Sequence, residues 1–134
     1  MNSKQFLTVG GAVLLLLGIV GYLGIFGEGS FFWLTTGENV AHVFLGLVAL
    51  AAVYVPGLNK ALEPYYKPIV ILVGLIALFF GVYGFAVANV PPLNTFGVAQ
   101  LNSPADNILH LAVGAWALYA AFRGQPMMME KKAM

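Results

Sequence analysis

Two short stretches of this sequence combine an acid, an amide and a histidine at the same spacing. Residues 38–46 read ENVAHVFLG and residues 106–114 read DNILHLAVG. Together they contain both histidines of the chain and two of its five acids. Carboxylate, amide and imidazole groups can bind metal ions, ligate a haem iron, carry protons or hydrogen-bond one another. We therefore take the two stretches as the candidate functional site.

Helical spacing aligns the polar side chains of each stretch on one face. The asparagine, the histidine and the glycine follow one another at intervals of three and four residues, which are neighbouring positions on a helix surface. These six residues are Asn39, His42, Gly46, Asn107, His110 and Gly114. Our first interpretation is a polar clamp, in which the histidines and asparagines hydrogen-bond across helices and the glycines allow close approach. Such bonds contribute only ~0.6 kcal/mol each in membranes, so the clamp fixes register more than stability.

The two acids have a simpler role at the start of the helices. Thr35 stands three residues before Glu38, and Ser103 stands three residues before Asp106, a spacing typical of a capping box. A carboxylate in the first turn also meets the positive end of the helix dipole. We therefore predict that helices begin at these positions and that both acids cap them.

In two alternative interpretations the histidines are ligands of a cofactor or a metal ion. In the first, His42 and His110 are the axial ligands of a haem b or a chlorin between two helices, because both lie about 10 Å from the start of their helices. The chain is then an electron-transfer or pigment subunit. In the second, Glu38 and Asp106 join the two histidines in a four-ligand metal site, which requires both capping boxes to break.

The composition indicates which elements position these residues. Of 134 residues, 60% are hydrophobic and 8% are charged, and the mean hydropathy is +0.89, whereas a soluble domain has about 25% charged residues. Four apolar runs, at about 6–26, 37–55, 68–89 and 104–122, each approach the ~20 residues that a spanning helix needs. The first run is too long for a signal peptide, so we read it as a retained helix. We expect one all-α integral membrane domain, residues 1–134, built as a four-helix transmembrane bundle.

The second half of the chain repeats the first. A shift of 68 residues gives six identities between 38–52 and 106–120, and a shift of 63 aligns three glycines of the first and third runs. The identical pairs are Asn39/Asn107, His42/His110, Gly46/Gly114, Ala49/Ala117, Leu50/Leu118 and Ala52/Ala120, and the aligned glycines are Gly11/Gly74, Gly18/Gly81 and Gly21/Gly84. Small residues on one face let membrane helices pack closely. We predict two repeated helical hairpins, at about 6–55 and 68–123, related by an axis along the membrane normal.

The basic residues predict the orientation and the environment of the chain. Lysine and arginine occur before the first run, between the second and third, and after the fourth, at Lys4, Lys60, Lys67, Arg123, Lys131 and Lys132. The other two loops have none, so the positive-inside rule places both termini in the cytoplasm. The net charge of +1 gives no basic field for nucleic acid. The expected partners are the lipid bilayer and other membrane subunits or copies of the chain.

Residues 95–114, TFGVAQLNSPADNILHLAVG, resemble the signature of a family of small bacterial four-span membrane proteins known only as a domain of unknown function. The shared pattern is a short apolar loop, Ser-Pro or Asn-Pro, then Asp-Asn-x-x-His and a glycine. Asn39 and His42 repeat part of this pattern earlier in the chain. The resemblance implies four spans and a location in the prokaryotic cytoplasmic membrane, and it adds no catalytic residue.

No motif of a soluble enzyme occurs, since there is no phosphate-binding glycine loop, nucleophile elbow or paired-histidine zinc helix. We expect a non-enzymatic membrane protein without a cofactor, a structural or accessory subunit of a larger membrane assembly. The alternative is the haem- or chlorin-binding subunit. A small transporter ranks third, because no acid, histidine or lysine occurs in the inner half of any predicted helix.

Overall fold

The computed structural model describes residues 1–25, 27, 33–87 and 104–123, and this part of the chain is helical with short turns. The helices are α1 (Ser3–Tyr22), α2 (Thr36–Tyr54), α3 (Leu58–Leu62), α4 (Tyr66–Val87) and α5 (Pro104–Arg123), with a 3-10 turn at Glu63–Tyr65. The described residues contain no strand. The all-α prediction is therefore confirmed for the described residues.

Three helical stretches are long and apolar enough to cross a membrane, namely Ser3–Tyr22, Thr36–Tyr54 and Leu58–Val87. Only 28%, 28% and 22% of them, respectively, is buried within the chain, so most of their apolar surface needs another apolar environment. Helix α5 is also 20 residues long, but four charged or strongly polar side chains reduce its apolar character. The membrane character predicted from the composition is confirmed for three stretches, and the fourth span stays a prediction.

Helix starts and ends follow local sequence. Asn2 caps α1, because its Oδ1 accepts a 2.9 Å hydrogen bond from the Gln5 amide while the Gln5 side chain accepts one from the Asn2 amide. Helix α2 ends at Tyr54 because the next residue precedes a proline and is extended, with ψ at 120°. Gly57 then turns the chain with a φ of +86°, a conformation that favours glycine.

The long helices pack as two antiparallel pairs, α1 with α2 and α4 with α5. Gly11 of α1 faces Gly46 of α2, whereas Gly21, ten residues later, faces Asn39, so the two chain directions are opposite. The corresponding glycines of α4 face α5 in the same way. We call the end of the molecule where α2 and α5 begin the cap end, and the opposite end the α3 end.

The buried apolar core lies at the α3 end and joins the two pairs. It contains Phe6, Leu7, Val53, Tyr66, Val70, Ala117, Ala120 and Ala121, contributed by the four long helices. The Phe6 ring meets the Trp116 ring edge-on, with ring centroids 4.6 Å apart. The Tyr66 hydroxyl donates a 2.7 Å hydrogen bond to the Ala52 carbonyl oxygen. This bond connects the start of α4 to one of the last carbonyl groups of α2, which has no partner within its own helix.

Candidate functional site

The acid of each repeated stretch lies buried in the first turn of a helix. Glu38 Oε2 accepts two 2.6 Å hydrogen bonds from Thr35, one from the amide nitrogen and one from Oγ1. This arrangement confirms the predicted capping role of Glu38. Asp106 Oδ2 has no hydrogen-bond partner among the described residues, and Ser103, the predicted partner of Asp106, lies outside them.

The two asparagines occupy matching positions in the two helix pairs. Asn39 is 5% exposed and Asn107 is 1% exposed. The Oδ1 of each lies against a glycine of the neighbouring helix, Gly21 for Asn39 and Gly84 for Asn107, where an added Cβ would overlap it. Neither Oδ1 accepts a conventional hydrogen bond within the described part of the chain. Glycine Cα–H groups can serve as the donors, since Cα–H···O contacts at helix interfaces contribute about 0.5–1 kcal/mol each.

Gly46 and Gly114 bring their helices into contact within each pair. A Cβ added at Gly46 would lie 2.6 Å from the amide nitrogen of Leu15. A Cβ added at Gly114 would lie 2.6 Å from Cγ of Leu78 and 2.9 Å from the carbonyl oxygen of Gly74. These distances are too short for a side chain to be accommodated without movement. The two glycines therefore serve the contact of α2 with α1 and of α5 with α4.

The two histidines differ in their hydrogen bonding. His110 Nδ1 lies 2.7 Å from the backbone oxygen of Asp106, one turn earlier in the same helix, and its ring centroid is 6.1 Å from that of Phe80 on α4. His42 Nδ1 is buried and has no partner among the described residues. In that part of the chain, neither histidine makes the hydrogen bond to another helix that is expected of the polar clamp. The bond of His110 runs within its own helix.

The two repeated stretches lie at the same end of the molecule, the cap end, where α2 and α5 begin. Within the described ranges, however, no group of three or more acids and histidines is placed to hold a metal ion. The four-ligand metal site considered from the sequence is therefore not assembled in this structure.

Two cavities adjoin the α1–α2 pair, and neither is lined by a histidine. The cap-end cavity has a volume of about 330 Å³, and its walls include Gly21, Tyr22, Trp33, Thr35, Thr36 and Asn39. The apolar groove has a volume of about 380 Å³, and its walls include Ile19, Tyr22, Val40, Val43, Phe44 and Leu47. Sequence reasoning missed both spaces because each is formed by two helices together. The available signal was the run of Trp33, Thr35 and Thr36, in which polar and aromatic side chains precede an apolar run.

Comparisons of the chain with protein-family models, with curated proteins and with solved structures gave no match. The resemblance to a family of small bacterial four-span proteins rests on the signature in residues 95–114 and stays a prediction.

Proposed function

We propose that this chain is a four-span bundle of two repeated hairpins and a non-catalytic structural or accessory subunit of a larger assembly in a bacterial cytoplasmic membrane. The repetition of burial supports the duplicated hairpin. Four buried positions of α1 recur in α4 at the shift of 63, and five of α2 recur in α5 at the shift of 68. The pairs are Ser3/Tyr66, Leu7/Val70, Gly11/Gly74, Gly18/Gly81, Glu38/Asp106, Asn39/Asn107, Gly46/Gly114, Ala52/Ala120 and Val53/Ala121.

The length and pairing of α5 support a fourth span. Its 20 residues extend about 30 Å at 1.5 Å per residue, the thickness of the hydrocarbon core. It runs antiparallel along α4, which belongs to the most apolar of the three candidate spans. Its polar residues Asp106 and Asn107 are buried within the chain, so they do not face lipid.

The placement of the basic residues supports cytoplasmic termini. Lys4, Lys60, Lys67 and Arg123 all lie near the α3 end of the molecule, and the positive-inside rule places the end that carries the basic residues in the cytoplasm. A topology reporter fused after Met134 should be active in the cytoplasm. One inserted into segment 88–103 should be active outside. The reverse pair of results would reject this orientation.

The observation that carries the structural role is that the buried polar and small residues lie in contacts between helices. Asn39 and Asn107 fill contacts within a helix pair, and the apolar core closes the α3 end. The three candidate spans meanwhile leave most of their apolar surface uncovered by the chain, which is surface for lipid and for other membrane subunits. A transporter ranks below this function because the apolar core occupies the route to the predicted cytoplasmic side.

The subunit role can be tested by native mass spectrometry of the tagged chain, extracted from its own membranes in a mild detergent. We expect a complex of defined mass and fixed subunit ratio. Gly10→Ala should retain the complex, because the nearest side-chain atom to an added Cβ is 3.8 Å away, whereas Gly46→Ala, which destabilises the α1–α2 pair, should lower the yield of the complex. Recovery of the parent only as an isolated chain would reject the role of subunit.

A second candidate function is favoured by the geometry of His110. Its Nδ1 donates to the Asp106 carbonyl oxygen, which orients the ring and leaves Nε2 available, as in most histidine ligands of metals. His42 is the matching residue of α2, so a haem b or a chlorin between α2 and α5 would have two candidate ligands.

Absorption spectroscopy separates the two functions. The structural role predicts a colourless parent and a folded, colourless His42→Gln/His110→Gln double variant. A Soret band in the gently purified parent that disappears in the folded double variant would establish the cofactor-binding function instead.

A further inference from the structure

We propose that the α3 end of the α4–α5 pair binds the headgroup of one anionic phospholipid, of which phosphatidylglycerol is the simplest example, through Lys67 and Arg123. Lys67 lies in the first turn of α4, and Arg123 is the last residue of α5. The candidate span that contains α4 begins at this end, and lysine and arginine side chains near the ends of spans reach the headgroup region. The site does not depend on which side of the membrane the α3 end occupies.

A contact between the two helices orients the ammonium group of Lys67. Its Nζ lies over the Phe122 ring, 5.3 Å from the centroid, where the ring quadrupole attracts a cation. Glu63 precedes Lys67 by four residues, a spacing that favours an ion pair on a helix, but among the described residues Lys67 makes the contact with the ring and no ion pair. The ammonium group therefore keeps N–H donors for a phosphate oxygen.

The charges at the α3 end favour an anion. The basic side chains of the described part of the chain all lie near this end, namely those of Lys4, Lys60, Lys67 and Arg123. The one acid near them within the described ranges is Glu63, whereas Glu38 and Asp106 lie at the opposite, cap end. A negatively charged headgroup is therefore attracted to this end, and a zwitterionic headgroup is attracted less.

Exposed aromatic and apolar side chains identify the anion as a lipid and not a soluble phosphate. Tyr54 and Tyr65 are 64% and 58% exposed at the α3 end, and tyrosine is enriched at the level of the headgroups. Leu72 and Tyr119, which are 58% and 56% exposed, follow along α4 and α5 toward the middle of each helix. The acyl chains of a bound phospholipid would contact these side chains, whereas a free phosphate would not.

The first helix pair has only part of this arrangement. At the shift of 63, Lys67 corresponds to Lys4, and at the shift of 68, Arg123 corresponds to Val55. Lys4 is exposed, and within the described ranges its ammonium group lies over no aromatic ring. The α1–α2 pair thus has one unoriented cation, and the α4–α5 pair has two cations, one of them oriented. The site therefore belongs to the α4–α5 pair, and Lys4 is a matched control.

Quenching of tryptophan fluorescence by brominated lipid tests the site in the full chain. The chain has two tryptophans, so Trp33→Phe leaves Trp116, which lies seven residues or about 10 Å before Arg123 on α5. In phosphatidylcholine nanodiscs, phosphatidylglycerol brominated midway along its acyl chains should quench Trp116 by half at a mole fraction about tenfold lower than brominated phosphatidylcholine does. Equal quenching by the two lipids would overturn the proposal.

Matched charge removals separate a local site from general attraction to a basic surface. Lys67→Gln and Arg123→Gln should each reduce the preference for phosphatidylglycerol about fivefold, the effect of one cation near the headgroups. Lys4→Gln removes the same charge at the matching position and should reduce the preference less than about twofold, because Lys4 lies outside the site. Equal losses for Lys67→Gln and Lys4→Gln would overturn the site in favour of general attraction.

Three further measurements do not require the charge variants to fold. Phe122→Leu keeps both charges and should reduce the preference about two- to threefold, because Lys67 loses the ring that orients it. Raising the salt concentration from about 0.1 M to 1 M shortens the Debye length from ~10 Å to ~3 Å and should reduce the preference of the parent. A preference that salt leaves unchanged would overturn selection by charge. Complete competition by inorganic phosphate would overturn the assignment to a lipid.

Discussion

In the α1–α2 pair, a Cβ added at Gly46 would first meet backbone atoms of Leu15 and Gly11, at 2.6 and 2.7 Å. In the α4–α5 pair, a Cβ added at the corresponding Gly114 would first meet the Leu78 side chain, at 2.6 Å, and the nearest backbone atom, the Gly74 carbonyl oxygen, is 2.9 Å away. A side chain can rotate away at modest cost, whereas a helix backbone can move only together with the whole helix. The same repeated glycine therefore sets the helix separation more strictly in the first pair than in the second.

Polar groups at matching positions also differ between the pairs. Tyr66 donates a hydrogen bond to Ala52 across the two pairs, whereas Ser3, which occupies the position of Tyr66 in the first repeat, has a buried Oγ without a partner among the described residues. His110 Nδ1 is bonded and His42 Nδ1 is not. Matching glycines thus lie at the helix contacts of both pairs, and the surroundings of each pair determine how its polar groups are satisfied.

The largest expected effect is at Gly46. Gly46→Ala should lower the free energy of unfolding by about 3 kcal/mol, the upper end for overpacking, because the Cβ meets backbone. Gly114→Ala should cost about 1–2 kcal/mol, since Leu78 can move and the nearest backbone atom is 2.9 Å from the added Cβ, farther than at Gly46. Both are measured by denaturant unfolding of the purified protein in detergent micelles.

Gly10→Ala is the control for that comparison. An added Cβ there lies 3.8 Å from the nearest side-chain atom, and alanine favours a helix over glycine by about 1 kcal/mol. This variant should be at least as stable as the parent. Equal losses at Gly46 and Gly114 would remove the difference between the pairs.

The asparagine–glycine contacts should couple similarly in both pairs. Gly84→Ala should lower stability by about 1–2 kcal/mol because the added methyl group displaces the Asn107 side chain. In an Asn107→Ala background the same change should cost less, giving a coupling energy of about 1 kcal/mol. The double-mutant cycle with Gly21→Ala and Asn39→Ala should give a coupling energy of the same sign. Additive effects in both cycles would show that the asparagine–glycine contact contributes no energy.

The bond that joins the two pairs should contribute a smaller amount. Tyr66→Phe removes the donor to the Ala52 carbonyl oxygen and should lower the free energy of unfolding by about 1 kcal/mol. Ser3→Ala at the matching position should have almost no effect, because Ser3 Oγ has no partner among the described residues. Thermal unfolding of the two variants side by side measures the difference, and a larger loss for Ser3→Ala would contradict it.

The smallest effects are expected at the histidines. His110→Leu should lower stability by about 0.5–1.5 kcal/mol, because it removes a hydrogen bond to a backbone carbonyl. His42→Leu should leave stability unchanged or raise it slightly, because it removes a buried nitrogen that has no partner in the described part of the chain. Unfolding titrations that show the opposite order would mean that His42, and not His110, is held by the fold.

The sequence by itself determined where the long helices lie and that they are apolar. The apolar runs predict the helices because their length and hydrophobicity are local properties, and Thr35 with Glu38 predicts the start of α2 because a capping box involves only four residues. The spacing of Gly11, Gly18 and Gly21 likewise predicts a close contact on one face of α1. The hairpin repeat stays a prediction, to which the recurrence of buried positions in the two pairs can be compared.

Only the tertiary structure decided which atoms meet. It placed Asn39 against Gly21, left His42 Nδ1 without the kind of bond that His110 Nδ1 makes, and formed the cap-end cavity beside Tyr22. Periodicity identifies the face of a helix that is buried, but it carries no information about the depth and rotation at which two faces meet. These contacts form or break when one helix shifts by a few tenths of an ångström relative to its neighbour. Positions are fixed at that scale only by the packing of whole helices against one another.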